Sequence, residues 1–277
     1  MSHLTLGDVV AILEQHYPPA TAEEWDAVGL VAGDPEQPVR SIALAVDPTE
    51  ETAREALELG AGLLLTHHPL YLRGTSSVAA TSPKGRVVHQ LIRGGCGLYT
   101  AHTNADAAID GVNEALADLI GLQGRRPIAP HEEGGTTGSG RIGELPEPMP
   151  LRTFAELVAQ VLPATAQGIR VGGDLEAEVR TVALCGGAGD SLLGAVRELG
   201  ADVYLTADLR HHPASEHLAE GKPYLVDATH WASEWPWLPR AAALLDEAAR
   251  TRGATLEVHV STRVTDPWAL TVGGSTP

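Results

Sequence analysis

The sequence predicts an α/β fold built from two internally duplicated β-α-β halves, and three observations support it. Set against itself with residue 31 over residue 171, the chain aligns "VAGDPEQPVRSIALAVDPTEETAREALELGAGLLLT" (31–66) with "VGGDLEAEVRTVALCGGAGDSLLGAVRELGADVYLT" (171–206) without a gap, and 14 of the 36 positions are identical. Each copy reads as an apolar strand, an amphipathic helix ending in "ELG", and a second apolar strand closing on Thr. Gly60 and Gly200 stand where a helix stops, and a crossover helix between strands implies parallel pairing with a right-handed connection.

In chain order, the first strand is "SIALAV" and the second is Leu63–Leu65, which breaks off into Thr66, His67, His68 and Pro69. Neighbouring side chains in a strand point to opposite faces, so two adjacent imidazoles can share a crevice only if the strand has ended at Thr66. Pro69 then biases His68 towards an extended conformation. A further strand and turn, "CGLYTAHTNAD" (96–106), delivers His102 and Asp106. Residues 127–150 are rich in Pro, Gly, Thr and Glu and read as a linker, which divides the chain into an N-terminal half, 1–126, and a C-terminal half, 151–277.

In the second half Asp208, His211 and His212 follow "VYLT", and His230 and Glu234 follow "YLVDA". A spacing of four places the last pair on one helical face, but Pro236 sits poorly in a helix that begins at Thr229. A helix capped by Ser233 would take Glu234 and Pro236 in its first turn and leave His230 in the preceding turn. Trp231, Trp235 and Trp237 read as packing residues.

Composition bounds the function. The chain has 277 residues, 43% of them hydrophobic, and carries 36 acidic against 19 basic residues, a formal net charge of -17. That field repels polyanions and attracts cations, which argues against nucleic acid as a partner and for metal ions. Cys96 and Cys185 have no paired spacing, which fits a reducing compartment. No run reaches the ~18 apolar residues of a membrane span, and "MSHLTLGDVV" lacks the features of a leader, so the expected location is cytoplasmic, with no membrane partner.

Sheets made of β-α-β units gather functional groups at the carboxyl ends of their strands. Four such ends, from both halves, each deliver His or a carboxylate. A mixed His/Asp/Glu set without Cys points to a catalytic, hydrolytic metal site over a structural zinc.

The motifs "EWDAVGL" (24–30), "THHPLYLRG" (66–74), "AHTNADAAIDGVNEALA" (101–117), "GSGRIGEL" (138–145), "TADLRHH" (206–212) and "DATHWASEWP" (227–236) resemble, in order and over nearly the whole chain, the dinuclear-metal-centre hexameric family named after an NGG-interacting factor, whose bacterial members are called GTP cyclohydrolase 1 type 2 homologues. The resemblance implies a toroidal homohexamer whose subunits hold two divalent metal ions where the two halves face each other. Zn, Fe, Mn, Co and Ni are not distinguished by such ligands. It places the ligands at His67, His68, Asp106, His230 and Glu234, with Glu234 bridging, and His102 beside them as the catalytic, proton-handling residue. Asp208 and His212 match a nearby motif. Ala27, Ala207 and Thr229 depart from the family pattern, and the chain has no room for the inserted middle domain of longer relatives. The expected function is a dinuclear-metal-dependent hydrolase of a small molecule, a nucleotide such as GTP, with hydrolytic opening of the purine imidazole ring. The alternative is a non-enzymatic metal-binding ring that acts through protein partners. Arg73, Arg141 and Arg210 are candidates to hold an anionic substrate group.

Overall fold

The computed structural model describes residues 3–273, so residues 1–2 and 274–277, the outer ends of the two expected halves, lie outside the described residues. The protein is a mixed α/β fold of two compact units. One comprises the chain through Gly111 together with Leu238–Thr265, the other Val112–Trp237 together with the segment from Asp266. Among the described residues, no helix is long and apolar enough to cross a membrane.

In the first unit a five-stranded sheet runs in the order Glu257–Val260, Ser41–Ala45, Leu63–Thr66, Gly97–Thr100, Gly29–Ala32. All neighbours are parallel except the last pair. Every residue of the three central strands is buried, as expected where parallel strands are covered on both faces. The register sets Ala45 opposite Thr66 and Thr66 opposite Thr100, so the strands finish level and their following loops emerge from one edge. Helix Glu50–Glu58 starts at Thr49, whose side chain caps Thr52 N, and ends before Gly60, at φ +67°. Helix Pro83–Arg93 starts at Ser82 with proline at its first position. Ala53, Ala56, Val87 and Leu91 of these helices pack on Ala43, Ala45, Leu64 and Leu98 of the sheet.

The second unit holds a six-stranded sheet in the order Arg170–Gly172, Tyr224–Ala228, Val203–Ala207, Glu178–Ala188, Arg141–Pro150, Gln123–Arg126. The three strands Glu178–Ala188, Val203–Ala207 and Tyr224–Ala228 are mutually parallel and the outer ones antiparallel. Helix Leu193–Glu198 makes the crossover and stops before Gly200, at φ +73°. Ala183, Val196, Tyr204 and Leu225 join Ile142 in the core.

Two boundaries differ from the sequence reading. Residues 127–150 are not a plain linker, because Arg141–Pro150 is a strand of the second sheet. Its prolines disguise it: Pro146 and Pro148 fall where the pairing with Glu178–Ala188 is interrupted, between Glu144 and Met149, so their missing N–H groups cost no ladder bond, and Pro150 is the last residue of the strand, opposite Glu178. Leu238–Thr265, expected in the C-terminal half, belongs to the first unit, where Glu257–Val260 lies parallel to Ser41–Ala45.

Candidate metal centre

In the first unit the Leu63–Thr66 strand ends where expected, and the hydroxyl of Thr66 donates to the carbonyl of His68 at 2.9 Å, turning the chain. The two imidazoles are thereby freed from strand alternation. His67 is fully buried, and its Nδ1 lies 2.9 Å from the carbonyl of Ala101. A carbonyl only accepts, so Nδ1 carries the proton and Nε2 is the lone-pair nitrogen of the neutral ring. His68 Nδ1 is 2.7 Å from Asp47 Oδ1, and Thr265 Oγ1 donates to the other oxygen of that carboxylate.

His102 repeats the pattern. Its Nδ1 lies 2.8 Å from Asp26 Oδ1, while Asp26 Oδ2 accepts from Thr103 N at 3.0 Å and Thr103 Oγ1 at 2.5 Å. Burial by itself would raise the Asp26 pKa, but the hydrogen bonds from His102 and Thr103 outweigh it and hold the carboxyl well below its usual range. Asp26 is therefore an anion behind the ring. Trp25 packs edge-on to His102 with centroids 5.9 Å apart. One ring nitrogen from each of His67, His68 and His102 lies within 4.8 Å of the others, and Asp106 Oδ1 is 3.6 Å from His67 Nε2. Two donors of one tetrahedral ion with bonds of ~2.1 Å stand roughly 3.4 Å apart, so the His67–Asp106 separation suits a shared cation and is long for a direct hydrogen bond.

In the second unit Thr229 N-caps a short helix, His230–Glu234, and the spacing of four does place both side chains on one face, with His230 Nε2 3.0 Å from Glu234 Oε1. Pro236 lies just beyond that helix and before the next, Trp237–Thr251, so neither arrangement weighed from the sequence describes it fully. Ser233 is no cap here: it donates to the carbonyl of His230 at 2.8 Å and accepts from Gly187 N at 2.9 Å. His230 Nδ1 is 2.7 Å from Asp208 Oδ2. Asp208, at φ +57°, is the one described non-glycine residue in the left-handed region. Burial opposes charge on His230, but Glu234 and Asp208 overcome it and push its pKa up to about 11. The two carboxylates thus favour positive charge on this ring.

Gly186 and Gly187, near the end of the strand Glu178–Ala188, close around the same groups. Gly187 has φ +69°, and a Cβ there would overlap Glu234 Oε1 and stand 3.1 Å from His230 Nε2. Asn113, fully buried, accepts from Gly186 N at 2.9 Å and fixes this strand end. A cradle that a single methyl group would fill, lined by a carboxylate and an imidazole, fits a small divalent ion.

A family model for DUF34/NIF3 (NGG1p interacting factor 3) matches residues 4–267. The chain belongs to the DUF34/NIF3 family. A GTP cyclohydrolase 1 type 2 homolog of Streptomyces coelicolor is 53% identical over 98% of this chain and 95% of its own length. Another, from Mycobacterium tuberculosis, is 37% identical over 96% of this chain and 97% of its own, in an alignment of 371 positions against a chain of 277, so that NIF3 relative carries segments missing here. Among solved structures, a Bacillus cereus protein related to NIF3 has a TM-score of 0.90 at 26% identity, with 98% of this chain and 100% of that one covered. HcgD from Methanocaldococcus jannaschii has a TM-score of 0.76 at 26% identity, with 94% and 98% covered.

Other residues singled out in this NIF3 sequence fall elsewhere. Arg141 does not face a substrate: it is fully buried, with Nε 2.6 Å from Glu114 Oε1 and Nη1 donating to the carbonyls of Gly138 and Gly140, both at 2.7 Å. Arg210 is bound to Asp190, at 2.6 and 2.9 Å, and Arg73 is exposed in a loop. His211 and His212 are exposed and stack edge-on to each other. Ala27 donates its backbone N–H to Asp26 Oδ1 at 2.7 Å. Thr229 takes an ordinary extended backbone, φ -80° and ψ 144°, which any residue adopts without strain.

Proposed function

We propose that this NIF3-family chain is a metal-dependent hydrolase whose centre takes two divalent ions from His67, His68, Asp106, His230 and Glu234, with Glu234 bridging and His102 handling the proton. One observation carries the reading. All four histidines have Nδ1 held by an oxygen of their own unit, three of them by the carboxylates Asp47, Asp26 and Asp208. Carboxylate or carbonyl partners behind imidazoles fix the ring and its tautomer and raise the basicity of Nε2, the arrangement that metal-ligating histidines require.

When bound, such ions supply the Lewis acidity that brings the pKa of a water from ~16 towards neutral. The protein supplies the rest. His102 accepts a proton at Nε2, and the Asp26 anion stabilises the imidazolium that results, a pairing suited to general acid–base work. Gly187 keeps the space beside Glu234 clear.

The name borne by the Streptomyces and Mycobacterium relatives makes GTP the first substrate to assay, by opening of the guanine imidazole ring with release of formate. Metal-reconstituted protein should release formate from GTP, and His68→Ala and Asp106→Ala should abolish it. Turnover that survives both substitutions would discard the centre as its source. The family's other name, that of an interacting factor, and the exposed Trp25 and Trp268 favour a second reading, a self-associated homohexameric ring that binds protein partners. Absence of turnover with any supplied metal would favour it.

A further inference from the structure

A second concave site lies wholly within the Val112–Trp237 unit, between the edge strand Arg170–Gly172 and helix His211–Ala219, and its lining includes none of the proposed metal ligands. Its volume is about 360 Å³, in the range of small-molecule sites. Its apolar lining includes Leu209, Ala214 and Leu218, and its polar lining is Asp227, Arg170, His211 and Ser215.

The side chain of Asp227 is only 7% exposed, and its partners are Arg170 Nη2 at Oδ2 and the N–H of Leu209 at Oδ1, a long 3.4 Å. A carboxylate offers roughly four acceptor positions, so this buried one keeps acceptor capacity towards the cavity it lines. Burial, the largest influence on it, pushes its pKa up. Arg170 spends one N–H on Asp227, and its side chain is 58% exposed, leaving donors beside that acceptor. The pair is electroneutral, so it exerts no net pull on a charged ligand, and an ion would have to shed its hydration against the leucines.

We propose that this cavity binds a small, neutral, flat heterocycle with a lactam edge, its ring N–H donating to Asp227 and the adjacent C=O accepting from Arg170, while the ring face covers the apolar wall. The proposal does not rest on the metal-centre reading and is tested without metal.

The full chain, stripped of metal by chelation, would be titrated calorimetrically with inosine and uridine, which carry the lactam edge, with 1-methylinosine and 3-methyluridine, which lack its N–H, and with adenosine. Inosine or uridine should bind, its N-methyl counterpart at least tenfold more weakly, and adenosine no better than the methylated forms. Ala214→Trp, at a half-buried position of the wall, should fill the cavity and abolish binding while the circular dichroism spectrum and metal uptake stay unchanged. Asp227→Asn should weaken it; should that variant misfold, Ala214→Trp still decides. No binding of either lactam at millimolar concentration, equal binding of the methylated nucleosides, or binding that survives in folded Ala214→Trp would overturn the proposal.

Discussion

Asp47→Asn and Asp208→Asn keep an oxygen that can accept from the histidine behind which it sits, but remove the negative charge. Both variants should fold as the parent does and bind metal about 10- to 100-fold more weakly, the usual effect of losing such a support. Competition with a chromophoric chelator measures it, and unchanged affinity would show that the carboxylates do not act on their histidines. Gly187→Ala should do more, because the added methyl overlaps Glu234 Oε1 and the backbone is left-handed. The strain alone costs roughly 1–2 kcal/mol, read in urea denaturation, and metal uptake should fall as well. The residues that could carry metal were legible from their types and their place after strands. Their supports were not: Asp47 lies 21 residues from His68, Asp26 lies 76 from His102 and Asp208 lies 22 from His230, distances bridged only by sheet register. Gly187 left a trace in the sequence, a Gly-Gly at a strand end, but glycine alone does not say what it makes room for.

Elements were legible where local chemistry decides them. The strand Leu63–Thr66 closes on its Thr, its counterpart runs one residue further to Ala207, and the helices stop before Gly60 and Gly200 as the sequence indicates, because burial of apolar runs and the left-handed glycine are local signals. The Arg141–Pro150 strand was hidden by its prolines, and what anchors it is a buried arginine. Arg141→Ala would take a donor from the carbonyls of Gly138 and Gly140 and leave Glu114 with Arg125, 3.3 Å from its other oxygen. Breaking a buried pair in this way costs about 3 kcal/mol, so the urea midpoint should drop sharply; a loss of activity with unchanged stability would restore Arg141 to a substrate role. Asp202 clamps the next strands, accepting from Arg180 N at 3.0 Å, Thr181 N at 2.9 Å and Lys222 Nζ at 2.7 Å. Burial would raise its pKa, but Lys222 and the backbone donors lower it further. A carboxyl depressed in the folded state stabilises above its unfolded pKa of ~3.9 and loses that contribution as pH falls through the folded value. Asp202→Asn should therefore flatten the acid limb of the stability profile below about pH 4, and an identical limb in both proteins would remove Asp202 from the account.

At the scale of the whole molecule, a charge of -17 on 277 residues fits a chain that recruits cations, and family membership extends over residues 4–267. The sequence could not show that Leu238–Thr265 returns to the first unit, since the parallel pairing of Glu257–Val260 with Ser41–Ala45 joins segments more than half the chain apart. The proposed assignment of two divalent ions to His67, His68, Asp106, His230 and Glu234 is tested most directly by elemental analysis of metal-reconstituted protein. The reading predicts two divalent ions per chain, loss of both in Glu234→Ala because a bridge serves both, and loss chiefly of one in His67→Ala. One ion or none in the parent protein, or two ions retained when Glu234 is replaced, would contradict it.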